Sequence, residues 1–157
     1  MKYERIRNLR EDRDLTQKQV GLAINVPQRT YAYYEAGEHM VPAHVLRALA
    51  IFHNVSTDYL VGLTDEKAPS KCSKEDQCAM SMRLRIRNMR KENDFKQQYV
   101  ADSVRCDQSL YSKYERGERE IPLNLVIQFA QFYNVSVDYL VGLTDDKTPP
   151  KRSKKHR

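Results

Sequence analysis

The chain repeats itself at an offset of 80 residues with no gap: RIRNLR (Arg5 to Arg10) returns as RIRNMR (Arg85 to Arg90), and NVSTDYLVGLTD (Asn54 to Asp65) returns as NVSVDYLVGLTD (Asn134 to Asp145). Between them YYEAGE (Tyr33 to Glu38) returns as KYERGE (Lys113 to Glu118) in the same register. A chain of 157 residues holds one ordinary domain or two very small ones, and the repeat decides for two copies of one fold. The units are placed at residues 1–64 and 83–145, with 65–82 as a connector and 146–157 as a basic tail. Each unit is about 60 residues long, near the lower limit for a core without disulfide or metal staples, a size that short local helices can reach.

The pattern within a unit predicts five short helices and no strands. A first helix is expected over about 3–13, with Ile6 and Leu9 one turn apart among charged neighbours. Thr16 followed by Gln19 has the spacing of a capping box, so a second helix begins there, with Val20, Ala23 and Ile24 as its buried stripe. A third helix runs over about 27–35, and Gly37, like Gly117 in the second copy, stands where a left-handed C-terminal cap is wanted. Pro42 and Pro122 suit the first position of a fourth helix whose inner face is Val45, Leu46, Leu49, Ala50 and Phe52. Ser56 and Ser136 suit the N-cap of a fifth, followed by Tyr59, Leu60 and Leu63.

The formal net charge is +6, but its location matters more than its sum. Lys147, Lys151, Arg152, Lys154, Lys155 and Arg157 lie near the C-terminus, and the basic residues that remain equal the acidic ones in number. The body is therefore close to neutral, and the tail KTPPKRSKKHR either adds salt-dependent phosphate contacts or is a passive solvated end. Cys72, Cys78 and Cys106 are odd in number without CxxC spacing, and the four histidines form no ligand cluster with them, so neither a disulfide framework nor a metal site is expected. No stretch approaches the roughly 18 apolar residues of a membrane span, and the first residues lack the apolar core of a signal peptide, which points to the cytoplasm. No phosphate loop, nucleophile–base set or catalytic residue is found, so an enzyme is not expected and no cofactor is implied.

The segment LTQKQVGLAINVPQRTYAYYEAGE, Leu15 to Glu38, resembles the helix-turn-helix of the phage-repressor and Cro family, also labelled XRE-type. The resemblance extends from the first helix through DYLVGL in both copies. It implies an all-α fold of two tandem five-helix, lambda-repressor-like helix-turn-helix domains, and double-stranded DNA as partner, in bacteria or in a phage of a bacterial host. In each domain the second helix would cross the phosphate backbone and the third would lie in the major groove. Arg10 with Glu35, and Arg90 with Glu115, match a family pairing that ties the first helix to the end of the third, while Tyr31, Tyr34, Tyr111 and Tyr114 are expected to pack inward.

Transferred position by position, the DNA-binding set is Gln17, Gln28, Arg29, Thr30 and Tyr33 in the first copy and Gln97, Gln108, Ser109, Ser112 and Lys113 in the second. A glutamine amide both donates and accepts, so Gln28 can bind the N6 and N7 edge of adenine while Gln17 reaches a phosphate and braces it. Arg29 can reach guanine or a phosphate, and Tyr33 a thymine methyl; Thr30 is either a small contact or plain helix surface. Where Arg29 and Tyr33 stand, the second copy has Ser109 and Lys113, so an operator of two unlike half-sites is expected. The turn before the third helix departs from the family's glycine, with Asn25 and Arg105 in its place, and Asp107 brings a negative charge to the start of the second reading helix. The leading expectation is a repressor with no small-molecule effector, for which a homodimer is one arrangement the resemblance allows. The competing one is a protein-interaction module, antitoxin-like or inhibitory, that uses one copy to bind a protein.

Overall fold

A computed structural model describes residues 3–68 and 82–151. Among these, every regular element is helical. The first unit contains α1 (Glu4–Glu11), α2 (Gln17–Ala23), α3 (Gln28–Ala36), α4 (Ala43–His53) and α5 (Thr57–Leu60). The second contains α6 (Met82–Glu92), α7 (Gln97–Ser103), α8 (Gln108–Arg116), α9 (Leu123–Tyr133) and α10 (Val137–Leu140). The expectations for the connector beyond Ala68, for Cys72, Cys78 and His156, and for the last six residues of the tail lie outside the described residues. No helix is long and apolar enough to cross a membrane.

Helix boundaries follow the capping chemistry. Thr16 accepts from the Gln19 amide while the Gln19 side chain reaches back to the Thr16 amide, the capping box read from the spacing. Gly37 and Gly117 close α3 and α8 in the left-handed region at φ 73° and 75°. Ser56 and Ser136 cap α5 and α10 through the amides of Tyr59 and Tyr139. Pro27, Pro42 and Pro122 sit one residue earlier than expected, as extended N-cap residues at ψ 140°, 152° and 146°, so the helices begin at Gln28, Ala43 and Leu123.

Each core is closed by the inner faces of these helices. Ile6, Val20, Tyr31, Leu46 and Leu49 are fully buried in the first unit, as Ile86, Val100, Tyr111, Val126 and Phe129 are in the second. Two expected inner residues turn outward. Ala23 is exposed, because α2 buries the row Val20, Gly21, Ile24, and Phe52 is only half-buried, because the stripe Val45, Leu46, Leu49, Ala50 continues to His53. The inward tyrosines behave as expected, with Tyr31, Tyr34, Tyr111 and Tyr114 all buried.

An arginine unremarked in the pattern locks each first helix to the closing turn. Arg85 is 2% exposed and donates to the carbonyls of Tyr139 (2.7 Å) and Thr144 (2.6 Å) and to Asp145 (2.8 Å), with its guanidinium 4.6 Å from the centre of the Tyr139 ring. Arg5 repeats this with Tyr59, Thr64 and Asp65. The repeated DYLVGLTD is thus a receptor for an arginine, buried in the second unit and part-buried in the first, whose several partners offset the cost of desolvating it.

Candidate nucleic-acid interface

In both units the second and third helices meet through a turn that needs a left-handed residue, supplied by Asn25 at φ 56° and by Arg105 at φ 53°. Asparagine enters this region readily, while arginine does so at a cost of roughly 1–2 kcal/mol. Gly21 lets the turn press against α2, since a Cβ there would lie 2.7 Å from the Val26 carbonyl oxygen. The turn brings the first residues of the two helices together: Gln17 with Gln28 at the starts of α2 and α3, and Gln97 with Gln108 at the starts of α7 and α8.

The paired charges form as expected. Arg10 Nε stands 2.6 Å from Glu35 Oε1, and Arg90 Nε stands 2.6 Å from Glu115 Oε1, with each guanidinium also donating to the carbonyl five residues on. The pairs do more than tie helices. The second carboxylate oxygen of Glu35 accepts from Gln17 Nε2 at 3.0 Å, and that of Glu115 accepts from Gln97 Nε2 at 2.8 Å. Burial would push the Glu35 and Glu115 carboxyls up, but the hydrogen bonds from arginine and glutamine outweigh it and hold both below the usual carboxylate range.

A carboxylate only accepts, so it fixes the glutamine amide with nitrogen inward and Oε1 free to accept from another group. In the second unit Gln108 Nε2 takes that oxygen, donating to Gln97 Oε1 at 3.1 Å, and a line of bonds runs from Arg90 through Glu115 and Gln97 to Gln108. In the first unit Gln28 is exposed, whereas Gln108 is half-buried. The first residues of α3 and α8 are therefore held differently at equivalent places.

The remaining candidate residues follow the same division. Arg29 and Tyr33 form one unit on α3, with Arg29 Nε donating to the Tyr33 hydroxyl at 2.9 Å and the Tyr33 ring 4.8 Å from that of His39. Thr30 is half-buried. On α8, Ser109 is exposed, Lys113 is half-buried, and Ser112 accepts from Arg116 Nη1 at 2.6 Å. Asp107 caps α8 by accepting from the amides of Ser109 (2.8 Å) and Leu110 (3.2 Å), while Pro27 gives α3 no side-chain cap. Cys106 is half-buried just before this cap, and burial together with Asp107 and Asp102 raises its thiol pKa, which keeps it protonated.

Two residues absent from the expected set belong to this face. Arg87 and Arg116 line a cleft in the second unit with Arg90, Gln97, Ser112 and Glu115. Arg116 lies one turn beyond Lys113 on α8, so helical spacing alone could have placed it there. Among the described residues no group of histidine, cysteine, aspartate and glutamate side chains could hold a metal ion.

Comparison with known proteins agrees with this geometry. The family described as helix-turn-helix matches residues 6–60 and again 86–140. The HTH-type transcriptional regulator YobD of Bacillus subtilis is 37% identical over 65 residues, covering 41% of this chain and 58% of that protein. The cryptic phage CTXphi transcriptional repressor RstR of Vibrio cholerae is 32% identical over 73 residues, 46% of this chain and 66% of the repressor. The HTH-type transcriptional regulator ImmR of Bacillus subtilis is 30% identical over 63 residues, 40% of this chain and 50% of the regulator. The chain thus spans between half and two thirds of the length of these curated relatives. No solved structure matches it.

Proposed function

The chain belongs to the helix-turn-helix family, as two tandem XRE-type copies, and we propose that it is a sequence-specific DNA-binding transcriptional regulator, a repressor, whose α3 and α8 read neighbouring and unlike half-sites. The observation that carries this reading is the recurrence, at both α-helical turns, of a glutamine at the first residue of the third helix beside a glutamine held by a buried Arg–Glu pair. Nothing in core packing requires an amide at these four places. A base edge in the major groove does, because the amide donates and accepts at once. The name of the Vibrio cholerae relative supports repression as the sign of regulation. The protein acts in the cytoplasm, without an effector, on double-stranded DNA.

The unlike pairs Arg29/Tyr33 and Ser109/Lys113 make the half-sites unlike. Selection of bound duplexes from a random pool tests this directly. The expected product is a non-palindromic site, from which Gln28→Ala loses about 1–3 kcal/mol and relaxes one base position. A perfectly palindromic site, or equal loss by Gln28→Ala on random duplex, would overturn the assignment. A second reading, a protein-interaction module, has Asp107 in its favour, since this carboxylate sits where phosphates would approach α8. Altering Gln28 with Arg29 and Gln108 with Lys113 separately discriminates the two: the second reading requires that one of these changes leave DNA binding untouched.

A further inference from the structure

The cleft in the second unit measures about 200 Å³ and lies between α6 and α8, lined by Arg87, Arg90, Gln97, Ser112, Glu115 and Arg116. Its charges do not cancel. Arg90 is matched by Glu115, and Arg116 by Glu118 at 2.5 Å, but Arg87 has no ion-pair partner among the described residues. One helical turn further on, Lys91 adds another cation. Arg83 extends the same corner: its Nη1 donates to the Arg116 carbonyl at 2.9 Å and packs so closely over Gly117 that a Cβ there would lie 2.3 Å from it.

The first unit has no such corner. Its counterparts of Arg83, Arg87, Ser112 and Arg116 are Tyr3, Arg7, Ala32 and Ala36, and Arg7 is neutralised by Glu11 at 2.8 Å, where the second unit has Lys91. Three arginines in the second unit thus stand where the first has one paired arginine. The packing of the core asks for none of them, because Arg83, Arg87 and Arg116 are all exposed.

We propose that the cleft between Arg87 and Arg116 grips a backbone phosphate of duplex DNA, so that the second repeat adds to its base reading a sequence-independent attachment that the first repeat lacks. The inference rests on the DNA-binding reading given above and assigns a further task to one half. A planar guanidinium offers two parallel N–H groups to a phosphate; Arg87 can present such a fork, and Arg116, whose Nε and Nη2 donate to Glu118 and whose Nη1 donates to Ser112, adds a remaining N–H from the other wall of the cleft. The Ser112 hydroxyl, whose oxygen already accepts from Arg116, keeps its own hydrogen for donation. Gln97 retains one N–H beyond the one held by Glu115. Gln108, bonded back to Gln97, is correspondingly less available to a base edge than the exposed Gln28.

The test is a salt titration of the full chain on two duplexes, the one recovered by selection and one of random sequence. Relative to wild type, the double variant Arg87→Gln/Arg116→Ala should lose affinity for both duplexes by the same factor, about 10-fold near 0.1 M salt, with the slope of log K against log salt shallower by about 1. The charge-conserving Arg87→Lys/Arg116→Lys should restore most of the slope, and thermal unfolding followed by circular dichroism should show all these proteins folded. Gln28→Ala should instead weaken only the selected duplex. An unchanged slope in the double variant, or a loss confined to the selected sequence, overturns the phosphate cleft and leaves the DNA-binding reading standing. Absence of binding by the wild-type chain to either duplex at low salt overturns both.

Discussion

His53 takes a place in the first core that Tyr133 takes in the second, and it does so with both ring nitrogens buried and without a hydrogen-bond partner among the described residues. Burial, reinforced by the charge of Arg13, lowers its pKa to about 4, whereas burial raises that of Tyr133 to about 12. The folded first unit therefore binds the histidine proton more weakly than the unfolded chain does. Its stability from this source is fully present above the unfolded value near 6.5 and is lost as pH falls toward 4. Tyr133 stays neutral throughout that window and contributes no such loss. Urea unfolding of the full chain should show the first unit losing about 1–3 kcal/mol between pH ~6.5 and ~4.5, and His53→Phe should flatten that dependence. An equal loss in His53→Phe would place the acid lability elsewhere. The buried histidine was hidden from sequence reading because residue type favoured Phe52 for the inner face, while the helical row that starts at Val45 and Leu46 leads to position 53.

At the scale of elements, each helix-turn-helix carries one capped helix and one uncapped one, in opposite order. Thr16 caps α2 with a full box while Lys96 gives α7 no side-chain cap; Pro27 gives α3 none while Asp107 caps α8 twice over. Capping explains why the second unit keeps a carboxylate beside a surface read here as meeting phosphate. Asp107→Ala should cost the second unit about 1 kcal/mol in chemical unfolding, the usual worth of such a cap. Asp107→Asn keeps an acceptor for the amides of Ser109 and Leu110 but removes the charge, so it should leave stability nearly unchanged and tighten DNA binding several-fold at low salt. A loss of DNA affinity in Asp107→Asn would show that the carboxylate serves the complex and not the helix. The caps at Thr16, Ser56 and Gly37 were legible because they depend on one residue type at one spacing. The clamp on Gln17 was not, because it requires Glu35 to hold Arg10 with both oxygens and to share one of them with the amide, a convergence of three helices that no local spacing encodes.

For the whole molecule, the informative quantity is the difference between two copies held in one chain. The two units were legible from the gapless repeat, and their difference was half legible: Ser109 and Lys113 opposite Arg29 and Tyr33 stand in plain sequence, but the Arg87–Arg116 cleft emerges only when α6 and α8 pack. Two units that read one duplex, one of them with an added grip on its backbone, gain from being joined, because once one has engaged DNA the other searches a small volume. If the connector at 65–82 behaves as a random chain, its root-mean-square span is roughly 25 Å, comparable with one turn of duplex, which would make the second contact effectively intramolecular. A protease site inserted among residues 69–81 tests this without altering either unit. Cleavage should weaken binding to the selected duplex by about 10²-fold or more, with each released unit keeping its own preference among base sequences and the second showing the steeper salt dependence. Undiminished affinity after complete cleavage would mean that one unit alone makes the complex, and loss of all sequence preference by the released second unit would remove Gln108 from the readers.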